Sequence, residues 1–160
     1  MRPGAPGPAL VLACALALSV PARATEPHEP PRGSAERRAI LDTVRPAMEH
    51  LTRGPVEFVV SRLRSNGRHA FLAGTMQRPG GGAITCQGTA FADQCAFMDG
   101  LSVFALTVRG RGNVSGDWAL LSWDVGPTDL SYGGWPRTFE VDCAVMFEPD
   151  TCAALAEGRR

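Results

Sequence analysis

From Ser34 onward the first clear pattern in this chain is helical. In "SAERRAILDTVRPAMEHLTRG" the residues Ile40, Leu41, Val44, Met48 and Leu51 form one apolar stripe at helical spacing. Ser34 is the expected N-cap, with Arg37 where the acid of a capping box would sit. Pro46 interrupts the stripe. It lacks an N–H and its ring crowds the preceding turn, so it is expected to kink the helix or split it near Arg45. Gly54 and Pro55 end the helix.

The spacing then changes to two. "VEFVVSRLRS" (56–65) and "RHAFLAGTMQ" (68–77) read as strands, and Asn66-Gly67 between them reads as a two-residue type I′ turn. That turn sets Val60 opposite Ala73 and Phe58 opposite Thr75. One face then carries Val56, Phe58, Val60, Phe71 and Ala73. The other carries Val59, Leu63, Ala70, Leu72 and Met76. Both are largely apolar, whereas a sheet with one wet face alternates cleanly. One helix covers one face, so the other needs a second layer, a partner chain or a ligand.

A second pair follows, "LSVFALTVR" (101–109) and "DWALLSWDV" (117–125), around the loop 110–116. Trp118 and Trp123 are five apart, so a regular strand points them to opposite faces. Trp123 then shares a side with Val125 and Ala119, and one of the two indoles lines the face that the helix leaves uncovered. Gly126-Pro127 stops the strand. In "GPTDLSYGGW" (126–135), Thr128 reads as an N-cap with Asp129 in the first helical turn. Leu130 and Trp135 would pack back on the sheet, and Gly133, Gly134 and Pro136 would end the turn. The tail 136–160 is expected to hold a short helix near Ala153–Glu157.

Composition adds a location. Arg2, the apolar run 9–20, Pro21 and "ARA" (22–24) make a secretory signal peptide with cleavage after Ala24. The run is too short for a stable membrane anchor. Lipid attachment at Cys14 is the alternative, but the apolar run continues past it to Val20. Residues 25–33 are rich in proline and polar groups and read as a flexible leader. Residues 34–160 are one domain. The sequence has 16 basic and 16 acidic residues and no lysine. Arg2 and Arg23 leave with the signal, for a formal net charge of −2. No basic patch is present to attract nucleic acid. Arginine-only usage with abundant Ala, Gly and Pro suggests a GC-rich bacterial genome.

Four cysteines remain: Cys86, Cys95, Cys143 and Cys152. An even count in an exported chain reads as disulfides. Three connectivities are possible, and the repeated C-x8-C spacing favours Cys86–Cys95 and Cys143–Cys152. A zinc site prefers two to four intervening residues, so the spacing argues against metal. The whole predicts an α+β fold: an N-terminal helix packed on a four-stranded antiparallel sheet, with two local disulfides. A cystatin-like or NTF2-like layout is an analogy of fold alone.

"ERRAILDTVRPAMEHLTRGPVEFVVSRLRSNGRHAFL" together with "GDWALLSWDVGPTDLSYGGW" resembles a group of small exported bacterial proteins, over roughly 36–78 and 101–135. The resemblance implies a compact α+β domain. It brings no activity or catalytic residue to carry over. The chain departs from that pattern at His69, where Trp is expected, and in its cysteine-bearing segments.

Catalytic chemistry finds little footing. Nucleophilic catalysis needs an oriented base, and the histidines are His28 in the leader, His50 near the helix end and His69 at a strand position suited to packing. No G-x-S-x-G or H-E-x-x-H motif occurs. Asp124 and Asp129 flank the Gly126-Pro127 turn and are the candidates for an acid–base pair. "NVS" (113–115) matches a glycosylation sequon and suits an exposed loop. Tyr132 and Trp135 are large amphipathic residues beside a glycine pair, favoured as interface anchors. The expectation is an exported, non-enzymatic binding module of the periplasm or cell exterior, such as an inhibitor or accessory protein of the envelope. Trp135, Tyr132, Trp123 and Asp129 are its binding residues, for a protein or a small apolar ligand, without cofactor, metal, nucleic acid or membrane anchor. A cavity-type enzyme using Asp124 and Asp129, and a structural envelope protein or homodimer, are the alternatives.

Overall fold

The computed structural model describes residues 25–98, 100–110, 117–127 and 129–158. The signal peptide, the sequon and the Thr128 cap lie outside them. Helix α1 spans Ala35–Thr52, strand β1 Glu57–Ser65, β2 His69–Gln77, β3 Ser102–Arg109 and β4 Trp118–Val125. Three short helices follow: α2 (Trp135–Thr138), α3 (Cys143–Met146) and α4 (Pro149–Glu157). The sheet is antiparallel in the order β1-β2-β3-β4, so α1 on a four-stranded meander stands as expected.

Ser34 caps α1, its hydroxyl accepting the Arg37 N–H at 3.1 Å. Pro46 does not split the helix, which runs unbroken through it. The ring sits on the exposed side, where water can satisfy the carbonyl that loses its partner. The buried stripe of Ile40, Val44 and Met48 on the other side is untouched.

The first hairpin differs from the expected register. Asn66 is not a central turn residue. Its side-chain oxygen accepts from the N–H groups of Arg68 (3.0 Å) and His69 (2.8 Å), so the chain reverses at Gly67-Arg68. Only Gly67 of that pair has positive φ, 78°. Leu63 consequently faces Leu72. A bulge between Val60 and Arg62 then moves the register, and Phe58 faces Met76 rather than Thr75, and Val60 faces Gly74 rather than Ala73. The bulge exchanges faces. Val56, Phe58 and Val60 join Leu63, Ala70, Leu72 and Met76 under α1, while Phe71 and Ala73 stay on the far side. Gly74 makes this possible, because a Cβ there would run into the Val59 carbonyl oxygen.

A second bulge, at Leu121, does the same for β4. Ala105 faces Trp123, but Thr107 faces Leu120 and Arg109 faces Trp118. Both tryptophans therefore lie on the α1 side, and neither lines the opposite face. Trp123 shares its side with Val125, not with Ala119. Trp118 is buried in the α1 core at 7 % exposure, whereas Trp123 at the sheet margin is 41 % exposed.

The face opposite α1 is covered by the chain's own C-terminal part. Phe71, Ala73 and Leu106 are buried against Val141, Val145, Met146 and Phe147, with Tyr132, Trp135 and Leu155 around them. Of the covers expected, a second layer is the one present. Arg62 ties it down, donating to the Met146 carbonyl (2.9 Å) and pairing with Glu148 (2.6 Å). Residues 25–33 are also held rather than loose. His28 and Ser65 exchange two backbone hydrogen bonds of 2.8 Å, and Thr25 N donates to the Asn66 carbonyl at 2.8 Å. Ser65 lies on an edge strand whose outward groups would otherwise be unpaired.

Both disulfides join the nearer cysteines, Cys86–Cys95 and Cys143–Cys152. Among the described residues no helix is long and apolar enough to cross a membrane.

Candidate functional site

The stretch 126–135 starts with a forced glycine. Gly126 has φ 65°, and a Cβ there would meet the Met98 side chain and the Gly100 carbonyl oxygen (2.7 Å). Its N–H donates to the Ser102 carbonyl at 2.8 Å. The helical turn begins later than expected, as a 3-10 turn at Ser131–Gly134 that leads directly into α2. Pro136 falls in the first turn of α2 and so does not terminate it; no helical N–H is demanded of it there. Asp129 precedes the turn and is exposed, and Leu130 points to solvent at 47 % exposure instead of packing on the sheet.

Tyr132 lies at the centre of an aromatic cluster. Its ring stacks on Phe104 at 4.3 Å between centroids and on Phe147 at 5.8 Å, with Phe71 at 5.6 Å and the edge of Trp135 at 6.0 Å. Trp135 in turn meets Phe139 edge-on at 6.3 Å. Burial pushes the Tyr132 hydroxyl above its ordinary pKa, and nearby Asp124 adds to that while Arg62 opposes it. Tyr132 and Trp135 thus join the sheet to the C-terminal layer.

The two candidate carboxylates have different settings. Asp124 accepts a hydrogen bond from the Ser131 hydroxyl, which ties the end of β4 to the 3-10 turn. Asp129 is exposed, five residues further along the chain. Neither lines the cleft of about 440 Å³ between the first half of α1 and the start of β4, whose walls include Glu36, Asp42, Arg109 and Trp118.

The histidines also separate. His28 meets Glu36 at 3.1 Å, and His50 is exposed in the last turn of α1. His69 is buried at 6 % exposure. Burial, and then the Arg68 charge, hold His69 below its usual 6.5. Burial alone would raise the Glu36 carboxyl, but hydrogen bonds from Ser65 and His28 and the charges of His28 and Arg109 bring it below 4.5. Both shifts destabilise the fold in acid. A depressed folded-state pKa means that the unfolded chain takes up the proton first, so stability falls as pH drops through 6.5 for His69 and through 4.5 for Glu36. Urea titrations of His69→Asn should show a flatter slope of stability against pH as the pH falls below 6.5 than the parent. An unchanged slope would remove His69 from this account.

One exposed residue escaped the sequence reading. Phe97 is 78 % exposed, the highest value among the large apolar side chains described. It closes the 3-10 segment Ala92–Phe97, two residues after Cys95. The supporting loop is fixed at several points. Ala90 N donates to the Leu51 carbonyl of α1 at 2.8 Å. Buried Thr89 bonds the Cys86 carbonyl (2.6 Å) and the Phe91 N–H (3.0 Å). Phe91 and Met98 pack on the α1 core. Periodicity is silent in such a loop. The available signal was a phenylalanine inside "DQCAFMDG", next to a half-cystine.

Compared with protein-family models, with curated proteins and with solved structures, the chain matches none.

Proposed function

We propose that this chain is an exported, non-enzymatic binding module, an inhibitor or accessory protein of the bacterial cell envelope, that grips a protein partner through its disulfide-closed loop. The carrying observation is Phe97, a largely exposed aromatic two residues past a loop fixed by Cys86–Cys95, by the Ala90–Leu51 hydrogen bond and by buried Thr89. A preordered loop loses little entropy on binding, and a large aromatic just past the closed ring, held by that ring, suits an anchor. Two disulfides support an oxidising compartment. In this reading Trp123 and Asp129 remain surface residues, and Tyr132 and Trp135 support the fold from within.

The test is Phe97→Ala. A benzophenone residue placed at 97 should cross-link a specific periplasmic protein. Phe97→Ala should weaken capture of that protein by about 30-fold or more. Its unfolding free energy should stay within about 0.5 kcal/mol of the parent, as for other exposed positions. Equal capture by the two proteins would refute the loop as the binding element.

A further inference from the structure

The two edges of the sheet are unlike. The β1 edge is defended: the leader pairs with it at His28–Ser65, and Glu57, Arg62 and Arg64 line it. The β4 edge, "WALLSWDV", carries one charge, Asp124, and exposes Leu121 (36 %) and Trp123 (41 %). Among the described residues no strand pairs with it.

The bulge at Leu121 gives β4 a symmetry that a regular strand of this length lacks. In a regular strand, residues 120 and 123 point to opposite faces, so an axis between 121 and 122 would pair inward side chains with outward ones. Here Trp118, Leu120, Trp123 and Val125 all lie on the α1 side, and Ala119 and Asp124 on the other. Turned about that axis, the strand matches itself face for face. Trp118 meets Val125 of the second copy, Leu120 meets Trp123, and Ala119 meets Asp124. Asp124 therefore opposes an alanine and no like charge. Each half-exposed Trp123 gains a leucine of the other copy, an aromatic–aliphatic cross-strand pair.

We propose that β4 is a self-recognition edge: two copies of this chain pair their β4 strands antiparallel about Leu121/Ser122, forming one eight-stranded sheet with both α1 helices on the same side. The occupant is a second copy because the face pattern of β4 is its own complement. The Phe97 loop is not part of the paired strands, so the proposal stands whether or not that loop binds a partner.

The test uses the full chain with its disulfides formed, in sedimentation equilibrium from low to high micromolar concentration. The expected result is a reversible equilibrium between one and two chain masses. Trp123→Glu and, separately, Leu121→Arg should each raise the dissociation constant by about 100-fold while leaving the thermal midpoint of the monomer in place. A benzophenone at position 123 should cross-link the Leu120-bearing peptide of an isotopically heavy second copy. A single-chain mass at every concentration would overturn the proposal. So would a dimer indifferent to both substitutions, or one whose cross-links fall outside Trp118–Val125.

Discussion

Tyr132→Ala should unfold far more easily than the parent, by about 3 kcal/mol, with the thermal midpoint lower by roughly 10 °C. The ring lies between Phe104 and Phe147 and touches Phe71 and Trp135. Truncation leaves a hole where sheet and C-terminal layer meet. Tyr132→Phe keeps the rings and should cost under about 1 kcal/mol. Calorimetry on the three proteins decides the matter. An interface anchor would give the opposite profile, with binding lost and stability kept, which is the profile expected of Phe97→Ala. A Tyr132→Ala protein as stable as the parent would mean that the C-terminal layer does not rest on this cluster.

The second large effect concerns the disulfides. Each closes a loop of the same length, with a sequence separation of nine, so loop entropy alone assigns each about 3 kcal/mol. Their surroundings make the outcomes unequal. Cys143–Cys152 staples α3 to α4 over Phe71 and Leu106, so Cys143→Ser with Cys152→Ser should show the full loss of about 3 kcal/mol in global unfolding. Cys86–Cys95 braces a peripheral loop. Its serine pair should fray that loop locally, with higher amide exchange near Thr89 and Phe97 and a smaller global loss. Urea unfolding of the two double variants, followed by hydrogen exchange, makes the comparison. Equal global losses would show that the Cys86–Cys95 loop unfolds together with the core.

The sequence made the elements legible but not which faces they share. Helix α1, its Ser34 cap, both hairpins and the cysteine pairing all follow from local signals: helical spacing, turn residues and equal cysteine intervals. The two bulges do not. A strand read at strict alternation assigns Phe58 and Val60 to one side and splits Trp118 from Trp123; one extra residue reverses both assignments. The Asn66 misreading has a comparable cause, since its side chain bonds the two residues ahead and moves the turn on by one. At the candidate site the gap is larger. Tyr132 and Trp135 have the composition of an interface. Only the tertiary course of 139–155 shows that the chain covers its own second face. Phe97 was hidden by its place in an irregular loop, where no periodicity reports direction.

The C-terminal layer also fixes when the molecule can be finished. Synthesis runs from the N-terminus, so α1 and all four strands exist before residues 132–155. Until that last segment arrives, Phe71, Phe104 and Leu106 form an open apolar surface on an otherwise assembled sheet. That surface can capture other chains, as late-covered cores do. The domain therefore depends on residues 132–155 for protection as well as stability, and a chain stalled or clipped before them should aggregate rather than persist as a smaller soluble fold.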